Sequence, residues 1–222
     1  MYKPTLILIC FLVLISCRET PKEVVVSQEQ QVIEKLAAAH GFDHWKDVKK
    51  IHFTFNVDRD TVHFERSWIW HTATQEVSRI TAQDTVTFNR GAVNDSLKPA
   101  DSGFINDKFW LLFPYQLKWD KDLALSYSDT ATAPISGKKL HKLTVIYPNL
   151  GGYTPGDAYD AYFGDDYLLQ EWVYRKENQA TASLATTWES YSDYKGLKIA
   201  TTHKRADGNF TLYFTGISVE TK

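Results

Sequence analysis

From residue 50 onward the chain alternates apolar and polar positions with a period of two. In IHFTFNV (51–57), Ile51, Phe53, Phe55 and Val57 alternate with His52, Thr54 and Asn56, the pattern of a half-buried strand. VHFERSWIWH (62–71) carries bulky groups on both faces, with Phe64, Trp68 and Trp70 on one and Ile69 on the other. EVSRIT (76–81) and DTVTFNR (84–90) continue the meander. After an interruption, strands return at 123–128, 140–147, 158–163, 167–176, 184–191, 197–204 and 210–219. Eleven strands with short connections predict one antiparallel sheet, and a sheet of that width curls. Pro155-Gly156 marks a type II turn and Asp207-Gly208 a hairpin. In the last strand the apolar phase slips across Gly216, which predicts a bulge.

Two segments have helical periodicity instead. Ser27 with Gln30 forms a capping-box pattern; Val32, Ile33, Leu36 and His40 share a face, and Gly41 ends the helix. Asp43 can cap a short turn carrying His44 and Trp45. The second helix lies in FINDKFWLLFPYQLKW (104–119), capped by Asn106 or Asp107 and broken by Pro114, behind a loop at 91–103. It is apolar on every side, so it must pack inside something or meet a ligand or membrane. The predicted fold is mainly β: a large curved antiparallel sheet with an N-terminal helix, and an apolar central helix over the concave face.

The first residues have a different logic. Thr5–Ile15 is an apolar run too short to span a bilayer, behind Lys3, as in a secretory signal. It ends Leu14-Ile15-Ser16-Cys17, which resembles the bacterial lipobox: an apolar residue at −3, a small one at −1 and cysteine at +1. A small −1 side chain admits the peptidase, and only a thiol forms the thioether to diacylglycerol. Residues 1–16 are therefore expected to be a signal peptide, 17–27 the lipidated Cys17 and a tether, and 28–222 a single domain. A diacylglyceryl group plus an N-acyl chain suffices for stable membrane anchoring. The nine residues 18–26 reach roughly 30 Å when extended, which holds the folded part near the membrane.

The formal net charge of −2, without a basic stripe, excludes nucleic acid as a partner. Loss of residues 1–16 removes Cys10, so Cys17 has no intramolecular disulfide partner. No nucleotide, zinc-protease or nucleophile-elbow motif is present, and no cofactor or metal is expected. His40 and His44 are four apart, but Gly41 ends the helix between them. Asp157, Asp160, Asp165 and Asp166 invite a calcium or hydrolase reading, with Asp157 and Asp160 the candidate polar site; turn propensity accounts for three of the four. The 7 tryptophans are the unusual feature, and Phe64, Trp68, Trp70, Phe109, Trp110 and Phe113 are the candidate lining of a hydrophobic cup, with core filling as the alternative.

A lipobox, an N-terminal helix, an eleven-stranded meander and an apolar helix midway together resemble the half-barrel of the lipoprotein carrier and receptor pair LolA and LolB. The phrases AHGFDHWKDVKKIHFTFNVDRD (39–60), FWLLFPYQLKWD (109–120), GGYTPGDAYDAYF (151–163) and DYKGLKIATTHKRADG (193–208) look like lipoproteins of Bacteroidetes-type bacteria whose activity is not established. They touch about a third of the chain after Cys17. The resemblance implies a non-catalytic cup for a lipid or another hydrophobic ligand. An anchor at Cys17 places it nearer a fixed receptor than a shuttle. Asp95-Ser96-Leu97 and Asp129-Thr130-Ala131, in predicted loops, resemble O-glycosylation triplets of the same bacteria. Arg18 is not the retention aspartate of enteric lipoproteins, which favours the outer membrane, facing the periplasm. The alternatives are an envelope hydrolase or glycan-active protein using Asp157–Asp166, and a structural lipoprotein docking an outer-membrane partner.

Overall fold

The computed structural model describes residues 26–222; Cys17, the signal and most of the tether lie outside the described residues. Helix α1 (Gln28–Ala39) begins as its sequence dictates, with Ser27 Oγ accepting the Gln30 N–H at 3.2 Å. Val32, Ile33, Leu36 and Ala37 form its buried stripe. It ends at Gly41, whose φ of +86° suits glycine; a Cβ there would lie 1.9 Å from the Gly196 carbonyl oxygen.

Strands β1 (Val48–Arg59), β2 (Val62–His71), β3 (Glu76–Ile80) and β4 (Thr85–Asn89) follow as an antiparallel meander. Helix α2 (Lys98–Trp119) then leads to β5 (Ala124–Thr132), β6 (Lys139–Ile146), β7 (Ala158–Phe163), β8 (Leu169–Arg175) and β9 (Leu184–Thr187). The chain closes with β10 (Glu189–Tyr194), β11 (Leu197–Lys204) and β12 (Phe210–Thr221). Gly216 (φ +58°) sits at the predicted bulge, where the register against β1 moves from His52–Ser218 to Thr54–Thr215.

The single sheet expected from the meander is instead two, ordered β10-β11-β12-β1-β2-β3-β4 and β5-β6-β7-β8-β9. The predicted strand 184–191 splits at Trp188, and there the chain changes sheets. Trp188 is buried, its backbone N–H donating to the Gln170 carbonyl at 2.7 Å and its ring centroid 4.5 Å from that of His203. Burying that indole turns the backbone, and Ser190 just beyond adopts φ +58°. The seam is stitched by Thr187, which accepts from Lys204 N–H through Oγ1 at 3.0 Å. The two sheets form one open, curved wall, not closed into a barrel.

Helix α2 crosses the concave face and joins the free-edge strands β4 and β5. It starts eight residues before the expected cap, with Pro99 in its first turn in place of the predicted loop. It also continues past Pro114: the missing N–H is absorbed by a kink at Leu112 (φ −129°, ψ 30°). Of its 22 residues 13 are buried, between Ala100 and Leu117. Trp68 and Trp70 of β2 pack on its Phe104 and Trp172 of β8 on its Phe109, Trp110 and Phe113, and Phe53, Phe55 and Phe214 of the wall join the same core. Each such aromatic contributes about 1.5–3 kcal/mol by leaving water. On the outer face of the second sheet, Glu171 accepts the N–H groups of Ile135 and Ser136, folding the turn 133–138 over Leu140, Tyr162 and Val173. Among the described residues, no helix is long and apolar enough to cross a membrane.

Candidate functional site

The space between α2 and the wall is not filled. A half-enclosed cavity of about 650 Å³ lies against Trp45, Trp70, Lys108, Trp119 and Tyr147, and a second of about 420 Å³ against Phe55, Val57, Trp110, Trp172 and Leu212. Both volumes fall in the range of small-molecule sites. Ile105, Phe109, Tyr153 and Thr154 border both, so one stretch of α2 and the β6–β7 loop form the partition. The loop is held on the helix by Tyr153, whose hydroxyl donates to Asp101 at 2.7 Å; Asp101 in turn accepts from Arg90 Nε at 2.8 Å.

The predicted cup residues are distributed unevenly. Trp70 borders the larger cavity, Trp110 the smaller and Phe109 both. Trp68 and Phe113 are wholly buried core. Phe64 is on the concave face but 46% exposed, under the Arg66 guanidinium.

Asp107 and Lys108 interrupt the apolar helix. Asp107 is fully buried and accepts from Arg66 at 2.6 and 2.7 Å and from Trp68 Nε1 at 2.7 Å. Burial raises its carboxyl above the usual carboxylate range, and the guanidinium opposes that rise. Lys108 is also buried, with Nζ donating to Gln116 Oε1 at 2.8 Å and lying 5.1 Å from the Trp119 ring and 5.7 Å from that of Trp70. Asp120, the nearby carboxylate, is engaged by the Tyr147 hydroxyl and Gln116. Burial first, then repulsion from Arg90, brings the Lys108 ammonium down to about 8.

The candidate polar residues are tied into the scaffold. Asp160 accepts from Thr144 Oγ1 at 2.6 Å and from Arg175 Nε at 3.0 Å; Asp157 accepts from Tyr174 and from the Glu177 N–H. Asp157 also borders the smaller cavity. His40 is buried between the Leu36 carbonyl and Tyr191, whereas His44 packs on Gly196. No group of three potential metal ligands occurs among the described residues. Ser96 is exposed before α2; Thr130 is exposed too, but on β5 at an irregularity rather than in the predicted loop.

Sequence reasoning missed Lys108, Ile105 and the Tyr153–Thr154 loop. Two charges inside an otherwise apolar helix, and Gly151-Gly152 before Tyr153, were the available signals.

An open half-barrel with a helix across its concavity, hollow on both sides of that helix, defines a class of fold. One comparison with a solved structure agrees. A LolA superfamily protein from Nitrosomonas europaea superposes with TM-score 0.52 at 8% identity, over 89% of this chain and 96% of that one. A DUF1329 family protein from Desulfovibrio piger (TM-score 0.47, 9% identity, 88% and 94% coverage) and a domain described as outer membrane lipoprotein-sorting from Vibrio parahaemolyticus (0.47, 8%, 86% and 92%) are also similar. The fold is LolA-like. No protein-family model and no curated protein matches the sequence.

Proposed function

We propose that this chain is a non-catalytic, lipid-anchored protein of the cell envelope that holds an acyl chain or similar hydrophobe in its half-barrel. One observation carries the reading: two aromatic-lined hollows meet along Ile105 and Phe109 inside the concave face. A monomer that only needed a core would fill such space. Native mass spectrometry of the Cys17→Ser chain, delipidated and then exposed to lipid extract, is expected to show a bound amphiphile. Ile105→Trp, placed at the shared border, is expected to lose the adduct while keeping the wild-type circular dichroism. Absence of any adduct from the Cys17→Ser chain would refute the cup.

The anchor rests on the lipobox at Cys17, with the outer membrane as the site that Arg18 favours. Cys17→Ser is expected to abolish labelling by radioactive palmitate in cells and to move the protein from the membrane pellet to the soluble fraction. Unchanged labelling would remove the anchor from the proposal.

A further inference from the structure

Lys108 presents a problem that the apolar cup does not solve. An ammonium has three donors and no acceptor. Here only Gln116 Oε1 is bonded to it, and among the described residues no carboxylate forms an ion pair with it. The faces of Trp70 and Trp119 offset part of the cost, but a ring contributes about 2 kcal/mol to a desolvated cation. Removing an ammonium from water costs several kcal/mol. The cation therefore remains undercompensated, on the wall of the larger cavity. Trp70 Nε1, on the same wall, is a second donor without an acceptor among the described residues.

An aliphatic residue at 108 would close the helix against the tryptophans more cheaply. What lysine adds is a buried positive charge at the wide end of a space whose other end, past Ile105 and Phe109, is walled mainly by Phe55, Val57, Trp110, Trp172 and Leu212, with Arg59 and Asp157 bordering it as well. We infer that the ligand is an anionic single-chain amphiphile, its carboxylate or phosphate paired with Lys108 in the larger cavity and its chain passing Phe109 into the smaller one. This rests on the cup proposed above and specifies what it selects. The other charged groups around Lys108 are Arg90, Asp101 and Asp120, with Lys121 on the wall of the same cavity; the aspartates are already bonded to Arg90, Tyr153, Tyr147 and Gln116. Arg90, held by Asp101, adds to the positive field at the mouth.

The test uses the Cys17→Ser chain and three probes of one chain length: dodecanoate, dodecyl phosphate and dodecanol, followed by tryptophan fluorescence and calorimetry. At pH 7, at least one anion is expected to bind about tenfold or more tightly than the alcohol; which of the two anions wins identifies the head group. In Lys108→Met the preference disappears. In the wild-type residue background the preference declines above pH 8, where the free ammonium gives up its proton, and in Lys108→Arg it persists to pH 9.5. Equal affinity for all three probes overturns the inference and leaves the cup standing; binding of none overturns the cup itself. An anion preference that survives in Lys108→Met also overturns it. Should Lys108→Met fold poorly, the pH profiles of wild type and Lys108→Arg decide alone, and identical profiles count against the assignment.

Discussion

Asp107→Ala is expected to destabilise the domain by about 3–5 kcal/mol, the cost of removing one partner from a buried ion pair. The carboxylate has no exposure and accepts four hydrogen bonds, two from Arg66, one from Trp68 and one from Asn106. Its removal strands a guanidinium that is only 20% exposed and leaves a buried indole N–H unpaired. The pair also pins α2 to strand β2, so the loss is felt where the helix meets the wall. Replacing both members with apolar residues, as in Arg66→Met with Asp107→Leu, is expected to recover most of the deficit, because the desolvation cost of both ions disappears as well. Urea denaturation of the two single variants and the double variant measures the coupling. An Asp107→Ala loss below about 1 kcal/mol would mean that packing alone holds the helix.

Acid is expected to weaken the fold well before the aspartates as a class are protonated. His203 is completely buried against Trp110, Trp188 and Phe214, and burial brings its imidazole down to about 3; His40, buried beneath Tyr191, falls to about 4. In the unfolded chain both take a proton near pH 6.5. The unfolded state thus binds more protons throughout the interval from 6.5 down to the folded values, and stability falls as pH falls through it. Each histidine removes about 1.4 kcal/mol per pH unit once well below 6.5, so the two together cost roughly 4–5 kcal/mol between pH 6 and pH 4. His203→Phe, which suits the aromatic surroundings, is expected to remove about half of that slope. Thermal midpoints measured at half-unit steps from pH 7 to pH 4 check it. Superimposable slopes for wild type and His203→Phe would show that the histidine is not what titrates.

Much of the scaffold is legible because its signals are local. The period-two strands, the Ser27 cap, the Gly41 stop and the Gly216 bulge all depend on residues within a few positions of one another. The division into two sheets is not local. LATTWESY (184–191) reads as one strand, and only the burial of Trp188 against residues of β8 and β11 bends it out of the five-stranded sheet into the seven-stranded one. The start of α2 is hidden for a related reason. Asp101, Ser102 and Gly103 are poor helix formers, and their helical state is held by contacts from elsewhere: Arg90 and Tyr153 on Asp101, Arg66 on the Gly103 carbonyl. In the site, aromatic density nominates Trp70, Phe109 and Trp110, and these three border the cavities. It cannot separate them from Trp68 and Phe113, which have the same periodicity and no free face. Lys108 escapes notice because an average over the helix hides a single cation among aromatics.

The loop bearing Tyr153 springs from two strands that are immediate neighbours, with Ile146 facing Ala158 in an unbroken ladder at its base. Swinging that loop outward therefore breaks the phenol's grip on Asp101 and a few bonds inside the loop, and no rung between strands. The wall behind the two hollows is thus held together independently of the loop that borders them.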